Sequence, residues 1–233
     1  LRPATIERRE TPAAQRLLKT RRKALTKPTP TAKLLMGYRA PGMLDPDNTI
    51  LGVLRELLTG GLSGRLTRAM TRESELASMV YASAAPFRDG TLFEIFADLR
   101  EGVSVETAEA RVERELLRLA HEPVTKAELD KVRHQAELSF LTSMETAAGK
   151  AEQIGFYDAV LGDPSEVFVR ADAYRTMRPE DVQRVAQQLF DGRARVVVEV
   201  RPAAKPEAGT KARPKRTRAA ARATDRAGRG ELA

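Results

Sequence analysis

The sequence contains no cysteine, no tryptophan and only two histidines among its 233 residues. The absence of cysteine excludes disulfides and thiolate metal ligands, and it leaves no marker of the redox compartment. With only His121 and His134 available, a zinc site built on three imidazoles is excluded as well. No apolar run approaches the ~20 residues that a membrane-spanning helix needs.

Positive charge is concentrated at the two ends of the chain. The formal net charge is +8, with nine Lys or Arg against three acidic residues in 205–233 and nine against two in 1–27. The central region is therefore net acidic. This distribution argues against nucleic-acid binding by the folded part.

Residues 204–233 form a basic, low-complexity tail without aromatic side chains. Such a segment buries too little apolar surface to offset the entropy of ordering, so we expect it to be disordered and solvated. The alternative is a tether to nucleic acid or an anionic surface through phosphate contacts, which we do not favour because no aromatic residue is available for base stacking.

Residues 1–27 are interpreted either as a basic inter-domain linker or as a charged edge strand. The chain opens with neither an initiator methionine nor a signal-peptide pattern, so we expect it to be a segment of a longer product.

Residues 28–203 are predicted to form one domain. Apolar runs bounded by turn residues predict strands over 31–40, 79–85, 91–99 and 195–200. The valines of the last strand indicate burial on both of its faces. Antiparallel strand pairs combined with grouped helices are typical of the α+β class.

Capping residues mark three helix starts. Asp45-Pro46-Asp47 predicts a helix with Pro46 at its first position. Ser104 is the predicted N-cap of a second helix. Thr125 and Glu128 form a capping box that predicts a third.

The third helix is expected to be long and to break near Gly149 or Gly155. A last helix is predicted to open at Pro179 and to end at 191–192. Five phenylalanines are expected in the core: Phe93, Phe96, Phe140, Phe156 and Phe168.

The segment after the first helix is the most informative part of the chain. Residues 60–85 read GGLSGRLTRAMTRESELASMVYASAA, in which a short helix carrying Arg72-Glu73 precedes a strand through Tyr81. Together with LLMGYRAPG at 34–42, this segment resembles the opening of the C-terminal, non-zinc half of pitrilysin/insulinase-type (M16) metallopeptidases. The resemblance extends over about residues 31–202.

The resemblance implies a fold and a set of partners. The fold would be an antiparallel or mixed sheet with helices packed on one face, the half-unit of the LuxS/mitochondrial processing peptidase-like metallohydrolases. Zinc is expected in a separate N-terminal half or catalytic partner subunit, which carries a His-x-x-Glu-His helix. We therefore expect no cofactor in this chain, a dimer with that half, and a peptide substrate between them.

The zinc motif itself is incomplete in this chain. His134 begins His-Gln-Ala-Glu-Leu, and Leu138 stands where the motif has its second histidine. Two histidines four residues apart share one helix face, and here that face offers a single imidazole. We expect no metal ligand and no certain catalytic residue here, and no peptide hydrolysis by this chain alone.

The resemblance does suggest two substrate-binding residues, an arginine and a tyrosine that stabilise the substrate and its oxyanion. Arg72-Glu73 matches the family pattern, but Met79 occupies the position seven residues later, and Tyr81 follows two places further on. A two-residue shift keeps a strand side chain on the same face but moves it by about 7 Å. The alternative is that Arg72 is a surface or ion-pairing residue.

Two functions follow. The chain is either the non-zinc domain of an M16 zinc metallopeptidase, which completes the peptide chamber, or a non-catalytic M16-like structural or assembly subunit. The Met79 departure favours the second alternative.

Overall fold

A five-stranded mixed sheet organises the residues that the computed structural model describes, 17–192 and 194–203. The strands are β1 (Arg21–Lys27), β2 (Lys33–Pro41), β3 (Ala77–Ala84), β4 (Gly90–Leu99) and β5 (Val196–Pro202). The helices are α1 (Asn48–Thr59), α2 (Arg65–Thr67), α3 (Val105–His121), α4 (Lys126–Ser143), α5 (Ala147–Leu161), α6 (Glu166–Thr176) and α7 (Pro179–Phe190). A π-helical segment, Arg68–Glu73, continues α2.

The strand order is β1-β5-β2-β4-β3, in which β1 runs parallel to β5 and every other pair is antiparallel. Residues 21–27, for which a linker and an edge strand were both open, form one edge of this sheet. Side chains of alternate residues are buried, because the helices pack on one face. The buried set includes Leu34, Met36, Tyr38, Val80, Phe93, Ile95 and Val197. The predicted α+β class with helices on one face is confirmed.

The opposite side of the sheet, which we call the open face, carries a continuous row of side chains. The strand registers align Tyr81, Phe96, Leu35, Val198 and Lys23 across all five strands. Tyr81 stacks on Phe96 with ring centroids 5.2 Å apart. Four members of this row are apolar or aromatic, so the open face is more apolar than a solvated sheet surface usually is.

Several predicted helix ends are confirmed. The Ser104 side chain accepts from the Thr107 amide. Thr125 and Glu128 form the reciprocal capping box at the start of α4. The last helix begins at Pro179 and ends at Phe190.

The start of α1 was predicted too early. Its N-cap is Asp47, so Pro46 lies before the helix. The Asp45 carboxylate accepts from the Asp47 amide at 2.9 Å, which forms a turn instead of the first helical residue. The Asp47 carboxylate is held by Arg184 at 2.7 Å.

The long helical stretch breaks just before Gly149, the first of the two predicted positions, and not at Gly155. Helix α4 ends at Ser143, and Thr146 caps α5 by accepting from the Gly149 amide at 3.0 Å. Gly149 therefore lies in the first turn of α5, and Gly155 lies inside the same helix. A separate helix, α6, follows Gly162, whose φ of +80° ends α5 in the left-handed conformation.

The core prediction was right for Phe93 and wrong for Phe168, which is 52% exposed. Phe96 lies three residues after Phe93 on the same strand and therefore points to the open face. The predicted burial of both faces of the last strand was also wrong. Val197 is buried beneath the helices, whereas Val196, on the open face, is 37% exposed.

The basic tail over 204–233 lies outside the described residues, and so does most of the 1–27 segment. Among the helices that are described, none combines the length and apolar character needed to cross a membrane.

A buried ion-pair network attaches the β1 edge to the helices. Arg22 donates to Glu199 on β5 at 2.9 Å and to Glu109 on α3 at 2.8 Å. Glu199 is 3% exposed and Glu109 is 6% exposed. Arg201 also binds Glu199, at 2.7 Å, and Arg195 binds Glu109, at 3.0 Å. These contacts compensate the desolvation of both carboxylates.

We predict that Arg22→Ala lowers the free energy of unfolding by about 2 kcal/mol, because Glu109 and Glu199 each lose one arginine partner. The loss is limited because each carboxylate keeps its second arginine. The matched control is Arg21→Ala, an exposed neighbour on the same strand, for which we expect less than about 0.5 kcal/mol. Urea unfolding measures both. Equal losses in the two variants would contradict the role of Arg22.

A second ion pair joins α2 to α4. Arg65, which is 8% exposed, donates to both carboxylate oxygens of Glu128, at 2.7 and 2.9 Å. The same carboxylate accepts from Thr125 in the capping box. The Arg65 guanidinium and these Thr125 contacts lower the pKa of Glu128 from 4.5 to about 2.

Because the folded-state pKa of Glu128 is depressed, its contribution to stability is present above about pH 4.5 and is lost as the pH falls towards 2. We predict that Glu128→Gln is about 1 kcal/mol less stable than wild type at neutral pH, after allowance for partial exposure of the pair. The difference should close in acid. Urea unfolding at several pH values tests this, with the exposed Glu101→Gln as control. A difference that is independent of pH would count against the ion pair.

Candidate functional site

The candidate site lies where the π-helical segment turns into β3. The Ser74 amide donates to the Ala69 carbonyl, five residues back, at 3.2 Å, and the Ser74 hydroxyl donates to the same carbonyl at 2.5 Å. Glu75 then adopts a φ of +49°, which is uncommon for a residue other than glycine. The chain thus reverses within three residues, between the segment that carries Arg72 and the strand that carries Tyr81.

Arg72 and Glu73 are adjacent in sequence but differ in their contacts. Glu73 pairs with Arg68 at 3.0 Å and with Arg111 of α3 at 2.9 Å. Arg111 also binds Glu115, which is 1% exposed. Glu73 therefore attaches the π-helical segment to α3. Arg72 is exposed and, among the described residues, forms no hydrogen bond or ion pair.

Tyr81 lies on the open face and is 45% exposed. Its ring is held by Phe96, while its hydroxyl has no hydrogen-bond partner in the described part of the chain. Met79 precedes it on the same face and is 48% exposed. Over the described residues, no hydrogen bond or ring contact connects Tyr81 to Arg72.

A β-bulge separates the two candidate residues, and sequence analysis did not identify it. Ala77 pairs with Leu99 and Met79 with Asp98, so β3 uses one residue more than β4 at this step. A bulge of this kind absorbs one residue without moving the rest of the strand along its partner. The only sequence signal is the small, polar Ser78 between two strand residues, which is too weak to locate a bulge.

The histidines do not fit a zinc site. His121 lies 3.4 Å from Asp191 at the exposed end of α3, and His134 is exposed on α4. Leu138, one turn after His134, is 59% exposed and offers no ligand atom. In residues 17–192 and 194–203, no group of three His, Cys or carboxylate side chains is arranged to hold a metal ion.

Comparisons with known proteins agree with this architecture. The chain is 24% identical over 167 residues to the zinc protease PqqE of Helicobacter pylori, which covers 72% of this chain and 37% of the relative. A protease structure from H. pylori matches with a TM-score of 0.74 and 22% identity, over 79% of this chain and 44% of that one. An inactive peptidase domain from Bordetella parapertussis matches with a TM-score of 0.70 and 23% identity, over 80% of this chain and 98% of that domain.

The chain thus spans less than half of the H. pylori proteins but nearly all of an isolated inactive domain. The sequence pattern of one family, described as the peptidase M16 inactive domain, matches residues 3–136, more than half of the chain. With its one-sided sheet and without a zinc motif, this chain belongs to the peptidase M16 inactive-domain family.

Proposed function

We propose that this chain is the non-zinc half of an M16 zinc peptidase, where it completes the peptide chamber and contributes to substrate binding. The observation that carries the proposal is the exposed guanidinium of Arg72, which has no partner in the described part of the chain, beside a Glu73 that forms two structural ion pairs. An arginine with no structural task is available for a substrate carbonyl or oxyanion.

The zinc ion belongs to the partner half in this proposal, because the donor set of this chain does not fit it. The ion would supply Lewis-acid activation of water there. The part of this chain is electrostatic: Arg72 donates to the substrate backbone and to the oxygen on which negative charge develops. Preorganised donors of this kind stabilise a transition state without moving during the reaction.

Tyr81 is the proposed second donor. The bulge after Ala77 takes up one of the two residues by which Tyr81 departs from the family spacing. Glu75, in the left-handed conformation, lies in the same connection and is a candidate for taking up the second residue of the offset. Stacking on Phe96 fixes the Tyr81 ring and leaves its hydroxyl free. These features support Tyr81, rather than Met79, as the residue that donates to the substrate.

The open face is the proposed contact surface for the zinc-binding half. Met79, Tyr81, Leu92 and Val196 are each more than a third exposed on this side of the sheet. An exposed apolar surface of this kind commonly marks a site of protein–protein interaction. Pairing through it would give the expected dimer of half-units and would place Tyr81 at the junction between them.

Arg72→Ala should leave the fold intact. We predict a change of less than about 0.5 kcal/mol in the free energy of unfolding, because the side chain is exposed and has no partner over residues 17–192 and 194–203. By contrast, Arg111→Ala should cost about 1–2 kcal/mol, since the buried Glu115 loses one of its two arginines. Thermal and urea unfolding give both values. A loss for Arg72→Ala as large as that for Arg111→Ala would show that Arg72 is structural.

In complex with the zinc-binding half, Arg72→Ala should lower kcat/KM for peptide cleavage by about 100-fold, the effect of removing an oxyanion donor. Tyr81→Phe keeps the stacking on Phe96 and removes only the hydroxyl, so we expect a loss of about tenfold. The control is Arg114→Ala, an exposed arginine on α3.

The outcomes separate the two functions that the sequence left open. Wild-type rates in Arg72→Ala, equal to those of Arg114→Ala, would rule out the binding role of Arg72. If the zinc-binding half cleaves peptides equally well without this chain, the result would favour the role of structural or assembly subunit.

A further inference from the structure

A second candidate site lies among the helices, away from the segment that carries Arg72. Helices α1, α4, α5 and α6 enclose a cleft of about 310 Å³, which is within the range of small-molecule sites. Its walls include Gly52, Arg55, Val132, Phe140, Tyr157 and Tyr174. A smaller cavity of about 180 Å³ shares Gly52, Arg55, Tyr157 and Tyr174 with the first. The shared residues thus line both spaces.

Four arginines line the larger cleft, and three of them are held by the protein. Arg170 donates to the Met43 carbonyl and lies 3.5 Å from Glu166. Arg133 binds Asp130 and the Met177 carbonyl. Arg175 binds Glu137 and Asp172.

Arg55 is the exception. It is exposed at the edge of the cleft, and its guanidinium has no hydrogen bond or ion pair within the described residues. A cation that faces a cleft and is bound by no acidic neighbour is available to an anionic ligand.

Two phenols add donors beside Arg55. Burial raises the pKa of Tyr174 and of Tyr157, so both hydroxyls stay protonated at neutral pH. Neither hydroxyl has a hydrogen-bond partner among the described residues. Both tyrosines are half-buried and line the cleft that Arg55 borders, so their hydroxyls can donate to a ligand that enters it.

Gly52 leaves room for the Tyr174 hydroxyl because it has no Cβ. The Tyr174 hydroxyl lies so close to it that a Cβ at this position would be 2.5 Å from the oxygen. Any larger residue at position 52 would displace the phenol from its place between the two cavities. Val132 and Phe140 on α4 supply an apolar wall on the other side of the cleft.

We propose that this cleft binds a small carboxylate with an apolar body, of the size of a single amino-acid derivative. Arg55 and the hydroxyls of Tyr174 and Tyr157 bind the carboxylate oxygens, and the apolar body packs against Val132 and Phe140. The carboxylate of Glu56, which also lines the cleft, extends towards Gly60 one turn along α1. The site is independent of the proposed peptidase function.

The test uses the full 233-residue chain and N-acetyl-L-phenylalanine as probe, with its uncharged amide as the matched comparison. Isothermal titration calorimetry gives the affinities, and tyrosine fluorescence gives a second signal, because two of the four tyrosines line the cleft and the chain has no tryptophan. We expect the acid to bind with a Kd of about 0.1–1 mM and the amide to bind at least tenfold more weakly.

Arg55→Gln should weaken binding of the acid by about tenfold or more, and Tyr174→Phe by about threefold to tenfold, the ranges for a charged and a neutral hydrogen bond. Tyr174→Phe keeps the ring and removes only the hydroxyl, Arg55→Gln shortens the side chain and removes its charge, and Arg114→Gln on α3 is the matched control with unchanged affinity. Three results would overturn the proposal: no binding of the acid below about 10 mM, equal binding of acid and amide, or wild-type affinity in Arg55→Gln.

Discussion

The one-sided covering of the sheet is the constraint on which the rest of the structure depends. In a strand, successive side chains point to opposite faces, so packing helices on one face buries alternate residues such as Met36, Phe93 and Val197 and leaves the others without cover. The uncovered row is itself largely apolar, from Tyr81 through Phe96 and Leu35 to Val198. The helices and one face of the sheet form a closed core, whereas the open face exposes apolar side chains. This is the property expected of one half of a two-part assembly.

Ion pairs between elements then determine which polar side chains are structural and which are free. Arg65 joins α2 to the capping box of α4, and Glu73 joins the π-helical segment to α3 through Arg111. These contacts hold the segment on both sides of Arg72 while leaving Arg72 itself without a partner among the described residues. The same reasoning applies in the helical cleft, where Arg170 is engaged and Arg55 has no partner within the residues that the structure describes. In a chain this rich in arginine, the arginines without acidic partners are the ones that indicate candidate binding sites.

The sequence was sufficient where one local rule decides the outcome. The Thr125–Glu128 capping box and the Ser104 cap were predictable because each depends on residues three apart. It was insufficient where distant residues compete. Asp47 is held by Arg184, 137 positions away, and α1 begins after it. The helical break falls at Thr146, whose hydroxyl caps α5 through the Gly149 amide, and Gly149 leaves room for the Ser143 carbonyl at the end of α4. The family pattern suggested Arg72 and Tyr81 as candidates. Neither the bulge between them nor the lack of a partner for Arg55 among the described residues has a signature in the sequence, since both depend on what packs alongside.

The central claim is that this chain supplies half of a peptidase site and no metal. The most direct test is to add the wild-type chain stepwise to the zinc-binding half and to follow peptide cleavage. The account predicts that the zinc-binding half alone is almost inactive, and that activity rises and saturates at one chain per half. Full activity of the zinc-binding half without this chain, with no response to its addition, would contradict it.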